Sequence, residues 1–186
     1  MSATTRFRSL LASLGLPVSA ILIVGALTAQ ARADHITPPP VPASIQVPSG
    51  NSPFLVVHAE GTQNYTCTAQ GVWGPAVPDA KLYGDNGHQV GTHFAGPTWQ
   101  FLDGSTARGS RIASYTASSS AIPWLLLQVV STTVGPDGDR LTQTTYIQRL
   151  NTTGGVAPAG GCASGATANV PYTADYYFYR VTQGGD

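Results

Sequence analysis

The chain has 186 residues, of which nine are basic and nine acidic, and charged residues make up only 10% of it. It is too short for more than one ordinary domain, and its balanced charge excludes a nucleic-acid binder that works by neutralising phosphates. With three Trp, eight Tyr and five Phe, it is too aromatic to be disordered. These totals describe a single globular domain in which little ionic chemistry is available.

Residues 1–33 have the order of a secretory signal peptide. Two arginines precede an uncharged apolar stretch at 10–28, and small residues follow at Ala29, Ala31 and Ala33. This order predicts export, with cleavage near Ala33. The alternative is an uncleaved membrane anchor, because the apolar stretch is just long enough to span a bilayer. We expect a secreted or periplasmic protein with no membrane span in the mature chain.

Removal of this leader would leave six basic residues against nine acidic ones, and therefore a mildly acidic protein. Export would also place Cys67 and Cys162, the only two cysteines of the chain, in an oxidising compartment. Disulfides form and persist in oxidising compartments, so we expect a bond between them. The alternative is two free thiols.

Residues 34–53 form a proline-rich lead, which excludes a helix and predicts an extended segment over the surface. From residue 54 onward, short β-rich stretches alternate with turn signals. We predict a break at Glu60-Gly61 and strands at 54–59, 63–68, 81–83, 88–94, 98–102, from about 105, 122–134, 141–150 and 176–181.

Turn sequences and apolar patterning together decide the fold class. Residues 84–87 and Asp103-Gly104 are typical of tight hairpin turns. Residues 122–134 are nearly all apolar, as expected of a strand covered on both faces. A helix is the rival interpretation, but Pro123 and the β-branched residues at the end favour a strand. We predict an all-β fold, an antiparallel β-sandwich or barrel, as a single domain over residues 54–181 stapled by one disulfide.

Common cofactor signatures are absent from the sequence. There is no G-x-G-x-x-G and no P-loop, so we expect no nucleotide cofactor, and no other cofactor is indicated. His58, His88 and His93 could supply three nitrogen ligands to a metal. However, His88 and His93 are five residues apart and fall on opposite faces of a straight strand. We therefore predict no metal site.

A denser cluster of functional groups starts at His93. It offers the imidazole of His93, the indole of Trp99 and the carboxylate of Asp103. This set suits a general base with an orienting carboxylate, with Glu60 or Arg149 assisting. It also suits a sugar site, where Trp supplies an apolar face and Asp an acceptor. The alternative, which we favour, is that Trp99 fills the core and Asp103 serves the turn.

Several short motifs resemble one protein family. They include Gly61-x-Gln63-x-Tyr65-x-Cys67, His93-x-x-Gly96-Pro97-Thr98-Trp99 with Asp103-Gly104-Ser105, Ile122-Pro123-Trp124 and Pro171-Tyr172-x-Ala174-x-Tyr176. Together they are similar to the family called domain of unknown function 3455, secreted proteins of bacteria and fungi. The resemblance covers residues 54–179. It implies a signal peptide, one compact domain and a bridge between Cys67 and Cys162, and it implies no established activity.

Export, low charge and the aromatic inventory favour a secreted β domain that binds a ligand or partner, such as an extracellular glycan or an envelope component. The alternatives are a secreted hydrolase or lyase that uses His93 and Asp103, and a purely structural envelope protein. We expect a monomer that binds no nucleic acid, and we favour a binding protein over an enzyme. The candidate ligand contacts are Gln63, Tyr65, Trp73 and Trp99.

Overall fold

The computed structural model describes residues 1–2 and 36–183 of the chain. Apart from its first two residues, the predicted signal peptide with its cleavage site lies outside the described residues. Asp34–Asp186 form one compact unit. Within the described ranges, no helix is long and apolar enough to cross a membrane.

Eight antiparallel strands form one sheet that closes into a barrel. Each strand pairs with the next, and β8 returns to pair with β1. The predicted all-β fold is confirmed, and of the two architectures considered the structure is the barrel. In chain order the strands are β1 (Asn51–Thr66), β2 (Val77–Tyr83), β3 (Gln89–Phe94), β4 (Thr98–Phe101), β5 (Thr106–Tyr115), β6 (Trp124–Thr133), β7 (Tyr146–Gly154) and β8 (Thr167–Val181).

The ladder between β1 and β8 is the longest in the barrel. It runs from the pair Asn51 and Val181 to the pair Thr66 and Thr167. Both strands are longer than the sequence predicts. The break predicted at Glu60-Gly61 is wrong, because β1 continues through it, and β8 begins well before residue 176.

The curvature of the barrel, rather than a turn, requires a glycine at position 61. A Cβ atom on Gly61 would lie 2.2 Å from the carbonyl oxygen of Asp79 on β2. The two backbones can approach this closely only because the residue has no side chain. In a sequence, such a glycine has the same appearance as one in a turn, which explains the incorrect break.

The strand predicted at 141–150 begins later, at Tyr146. Leu141 lies instead in the loop between β6 and β7, fully buried in the interior core. Its backbone N–H donates a hydrogen bond to Ser105 Oγ at 3.2 Å. The apolar residue that suggested a strand therefore belongs to a loop that closes one end of the barrel.

Side chains alternate between the inside and the outside of the barrel. On β8, Tyr176 and Phe178 belong to the interior core, whereas Tyr177 and Tyr179 belong to a second apolar cluster. This second cluster lies on the outer face of the sheet. Further aliphatic and aromatic side chains of the interior core include Leu55, Val57, Leu82, Trp99, Phe101, Ile122, Leu127, Leu141, Ile147 and Tyr172.

The proline-rich lead covers the second cluster and forms a strap over the outer face. A single 3-10 turn, Ala43–Ile45, ends with Ile45 fully buried. Gln148 Nε2 donates a hydrogen bond to the carbonyl oxygen of Ile45 at 2.7 Å, and the Tyr179 hydroxyl donates to Gln148 Oε1. The strap explains why β6 is apolar on both faces, because Leu126 packs in the outer cluster and the next residue packs inside.

The predicted disulfide between Cys67 and Cys162 is confirmed. It joins the loop between β1 and β2 to the loop between β7 and β8. Two backbone hydrogen bonds reinforce this junction, from Gly165 N–H to the Cys67 carbonyl and from Cys162 N–H to the Gly71 carbonyl, each at 3.0 Å. Two loops that are distant in the sequence are thereby fixed to each other.

Replacing both cysteines by serine should destabilise the fold. The disulfide links residues with a sequence separation of 95, and the chain-entropy model assigns about 4–5 kcal/mol to a loop of that length. Urea denaturation of the wild type and of the double variant Cys67→Ser/Cys162→Ser measures the difference. The wild type unfolded with reductant present is the control and should match the variant. A loss below about 1 kcal/mol would contradict the expectation.

Truncating Ile45 should reveal how much the strap contributes to stability. The side chain is 0% exposed, and Ile→Ala changes in such positions cost about 2–5 kcal/mol. Val134→Ala, at a residue that is 72% exposed, is the control and should change the free energy of unfolding by less than about 0.5 kcal/mol. Urea denaturation gives both values. If Ile45→Ala behaves like the control, the strap does not stabilise the barrel.

Candidate functional site

The up-and-down strand order gives the barrel two different ends. The loops β1–β2, β3–β4, β5–β6 and β7–β8 lie at one end, here called the open end, and the other three loops lie at the closed end. A cavity of about 970 Å³ is lined by inward side chains and by open-end loop residues at 74–76, 95–97 and 122–123, and it extends to the exposed side chains of Arg108, Arg111 and Val130. Its volume falls in the range of pockets that hold small molecules.

An imidazole and an indole stack on the wall of this cavity. His93 on β3 lies opposite Trp99 on β4, and their ring centroids are 4.3 Å apart with an angle of 12° between the planes. Tyr176 on β8 contacts both rings edge-on, at centroid distances of 5.1 and 5.2 Å. Gly109 leaves room for the indole, because a Cβ atom there would lie 3.3 Å from the Trp99 ring. The cluster fixes Trp99 in the wall and leaves no open indole face.

Two buried donors in the cavity lining have no hydrogen-bond partner, namely Trp99 Nε1 and Gln63 Nε2. Trp99 is 1% exposed and Gln63 2% exposed. Buried polar groups are nearly always hydrogen-bonded, since leaving one unpaired costs about 1–3 kcal/mol. Both donors belong to residues of the cavity lining, although the donor atoms themselves are covered.

His93 is neutral at physiological pH. Burial lowers the pKa of His93 to about 3, and the charge of Arg149 acts in the same direction. Its Nδ1 lies 2.9 Å from the carbonyl oxygen of Thr98. Because a carbonyl only accepts, Nδ1 carries the proton and Nε2 the lone pair. The imidazole therefore adds an acceptor to the site rather than a charge.

Arg149 brings a positive charge to the interior of the barrel. It is half-buried on β7, opposite Tyr176 on β8. Its Nε and Nη2 donate hydrogen bonds to the carbonyl oxygen of Pro123 at 3.1 and 2.9 Å. Among residues 36–183, no carboxylate forms an ion pair with it. Burial raises the pKa of Tyr65 and of Tyr176, and the Arg149 charge opposes both shifts.

Five residues singled out in the sequence line the cavity together: Gln63, Tyr65, His93, Trp99 and Arg149. Tyr65 is fixed by a hydrogen bond from its hydroxyl to the Gly155 carbonyl at 2.6 Å. Trp73 is not part of the lining. It lies in the β1–β2 loop, where its backbone pairs with that of Cys67.

Asp103 lies at the closed end, away from His93. Its carboxylate accepts hydrogen bonds from Ser105 N–H at 2.9 Å, Ser105 Oγ at 2.7 Å and Arg140 N–H at 3.0 Å, which tie the β4–β5 turn to the β6–β7 loop. Asp103 lies beyond the end of β4, in the β4–β5 turn, whereas His93 pairs with Trp99 within the β3–β4 ladder. The structure does not bring the imidazole and this carboxylate within the reach that proton transfer needs.

The remaining polar candidates lie outside the barrel. Glu60 is exposed on β1. His58 is on the same outer face, and its Nε2 lies 2.9 Å from Asp85 Oδ1 and its Nδ1 2.7 Å from Asp175 Oδ1. The contact with Asp85, followed by that with Asp175, raises the pKa of His58. His88 is exposed in the β2–β3 loop. In the part of the chain that the structure describes, no three His, Cys, Asp or Glu side chains group as metal ligands.

Sequence reasoning missed several residues of the cavity. Arg108 and Arg111 on β5 line it, as does Tyr176, which the sequence placed only in a strand. For Arg149 on β7, the sequence pattern contained a signal about the direction of the side chain. Residues two apart on a strand share a face, so the apolar Ile147 could have indicated that Arg149 also points inward.

Comparison with known proteins gives a family and no activity. A family model with the description "Protein of unknown function (DUF3455)" matches residues 48–180. This range contains nearly the whole barrel. No curated protein and no solved structure matches the chain.

Acidification should destabilise the protein through His93. Its folded pKa of about 3 lies below the ordinary value of 6.5, so between these values the unfolded state binds more protons and stability falls as the pH falls. From pH 7 to pH 5 the loss attributable to His93 is about 2 kcal/mol. Urea denaturation of the wild type and of His93→Asn at both pH values measures it.

In His93→Asn the pH-dependent loss should shrink by that amount. His58 provides a control of opposite sign, because its raised pKa stabilises the folded state as the pH falls. The loss should therefore grow in His58→Asn. An unchanged pH dependence in His93→Asn would contradict a buried, neutral imidazole.

Proposed function

The chain belongs to the family of proteins of unknown function DUF3455, and we propose that it binds a small, largely apolar molecule inside its β-barrel. The observation that carries this proposal is the cavity of about 970 Å³ at the open end. Eight-stranded barrels are wide enough either to be filled by side chains or to hold one small ligand. In this barrel the core fills the closed end and the cavity occupies the open end.

The walls of the cavity suit an apolar ligand. Ile122, Leu125 and Leu127 contribute aliphatic surface, and Pro75, Pro97 and other small residues line the rim. Burial of apolar ligand surface against such walls is worth about 25 cal/mol per Å². Arg149 supplies a polar group of the kind that orients a ligand in a mostly apolar pocket.

The rim of the cavity is held in place before any ligand binds. The disulfide fixes the β1–β2 loop to the β7–β8 loop. The β5–β6 loop is fastened to β7, because Ile122 N–H donates to the Gly154 carbonyl at 2.8 Å and the Thr152 hydroxyl donates to the Ile122 carbonyl at 2.6 Å. A preformed rim favours affinity, since little conformational freedom is lost on binding.

The other hypotheses receive less support from this geometry. A hydrolase or lyase using His93 and Asp103 would need the two side chains to converge, and they lie toward opposite ends of the barrel. A glycan platform needs an open aromatic face, and Trp99 does not offer one because it is covered by His93 and by Tyr176. Such a platform would have to use the half-buried Trp73 or Trp124. A purely structural role leaves the cavity without a purpose.

We also propose that binding takes place outside the cytoplasm. The predicted signal peptide supports this location, and so does the disulfide, because such bonds persist in oxidising compartments. The partner in this proposal is therefore a molecule of the periplasm, the envelope or the surrounding medium.

Binding of N-phenyl-naphthylamine, a neutral apolar dye that fluoresces in apolar surroundings, tests the proposal. The wild type should bind it saturably. Leu125→Trp adds volume to the cavity wall and should weaken binding by about ten-fold or more. Leu102→Trp, at a position in the closed-end β4–β5 turn that is 69% exposed, is the matched control and should bind as the wild type does.

Two outcomes would overturn the proposal. One is an absence of saturable binding by the wild type. The other is equal affinity of Leu125→Trp and wild type, which would place the dye outside the barrel. Thermal unfolding of all three proteins confirms that each variant is folded before its affinity is compared.

A further inference from the structure

Charges are distributed unevenly between the cavity and the rest of the barrel. Residues 36–183 contain six basic and seven acidic side chains. Three of the six basic residues, Arg108, Arg111 and Arg149, line the cavity, and none of the seven acidic ones does. With His93 neutral, a domain that is slightly acidic as a whole has a cavity lined by positive charge only.

Arg149 is the most unusual of these charges. It is half-buried on an inward-facing position of β7, and its hydrogen bonds to the Pro123 carbonyl and to the Tyr176 side chain bring it no negative charge. Buried charges in proteins are normally paired, and the partner of choice for a guanidinium is a carboxylate or phosphate. Within the described chain no carboxylate takes that place.

Neutral donors belong to residues of the same cavity lining. Arg149 is opposite Tyr176 in the β7–β8 register, and the Tyr176 ring lies 5.2 Å from that of Trp99. Trp99 Nε1 and Gln63 Nε2, both buried, have no partner. A guanidinium with unpaired N–H donors nearby is suited to an anion that accepts several hydrogen bonds.

We propose that the ligand of the cavity is an apolar molecule that carries one carboxylate, and that Arg149 binds this carboxylate. The inference rests on the proposed function and specifies the class of its ligand. The apolar body lies against Ile122, Leu125 and Leu127, and Arg108 and Arg111 make the entrance attractive to an anion.

A series of ligands with one apolar chain and three head groups tests this inference. Isothermal titration calorimetry near pH 7.5 compares dodecanoate, dodecanol and dodecylammonium on the wild-type protein. Dodecanoate should bind about ten-fold tighter than dodecanol or more, because a charge-assisted hydrogen bond is gained. Dodecylammonium should bind most weakly. This comparison needs no variant, so it tests the preference for a carboxylate even if substitutions in the barrel impair folding.

Arg149→Gln tests the assignment of the residue. Its affinity for dodecanoate should fall about ten-fold or more, to that of dodecanol, while the affinity for dodecanol should stay within about two-fold of wild type. Arg149→Lys keeps the charge and should retain part of the preference. Arg140→Gln is the matched control, because Arg140 lies at the closed end over the Phe101 ring, and it should change nothing.

The outcomes separate this inference from the proposed function. If dodecanol binds as tightly as dodecanoate, or if Arg149→Gln keeps the preference for dodecanoate, the carboxylate assignment is overturned and ligand binding stands. If none of the three ligands binds and the naphthylamine dye also fails to bind, both proposals are overturned.

Discussion

Pairing of β1 with β8 closes the sheet, and every other feature of the molecule depends on this closure. The ladder joins the first strand to the last, from Asn51 and Val181 to Thr66 and Thr167. Because a closed barrel has no edge strands, each of the eight strands pairs with a neighbour on both sides. Closure also divides the side chains into an inner and an outer set. The inner set forms the core and the cavity, and the outer set needs its own cover.

The inner and the outer side chains are covered in different ways along the barrel. At the closed end, Phe101, Phe178 and Leu141 fill the interior, and the hydrogen bonds of Asp103 tie the loops together. Toward the open end, the stacked rings of His93 and Trp99 form part of the wall of a cavity. On the outside, the strap covers the apolar residues of β6, β7 and β8. The proline-rich segment is therefore part of the domain, because its proline residues hold it extended across the sheet.

Because the chain has few charged side chains, a single charge inside the barrel has a large influence on which ligands suit the cavity. The interior offers no carboxylate to Arg149 among the described residues, and the neighbouring His93 stays neutral because it is buried. Arg149 is therefore the principal charge inside the barrel, and it lies beside donors that have no partner. This arrangement is favourable for a ligand that brings its own negative charge, and it is unfavourable for a cationic one.

By itself, the sequence determined local features. Its β-rich stretches, the turns at 84–87 and Asp103-Gly104, the pairing of the two cysteines and the family resemblance all follow from short patterns or from composition. Five cavity residues were also found, because unusual side chains stand out in a chain with few charges. Only the tertiary structure decided between barrel and sandwich, since closure depends on pairing between residues more than a hundred positions apart. It also decided which face of each strand points inward. Alternation shows that neighbours lie on opposite faces, but it does not show which face is inside when both are apolar. For that reason Arg149 was recognised as a candidate from sequence, while its place inside the cavity and the position of Asp103 at the far end came from the fold.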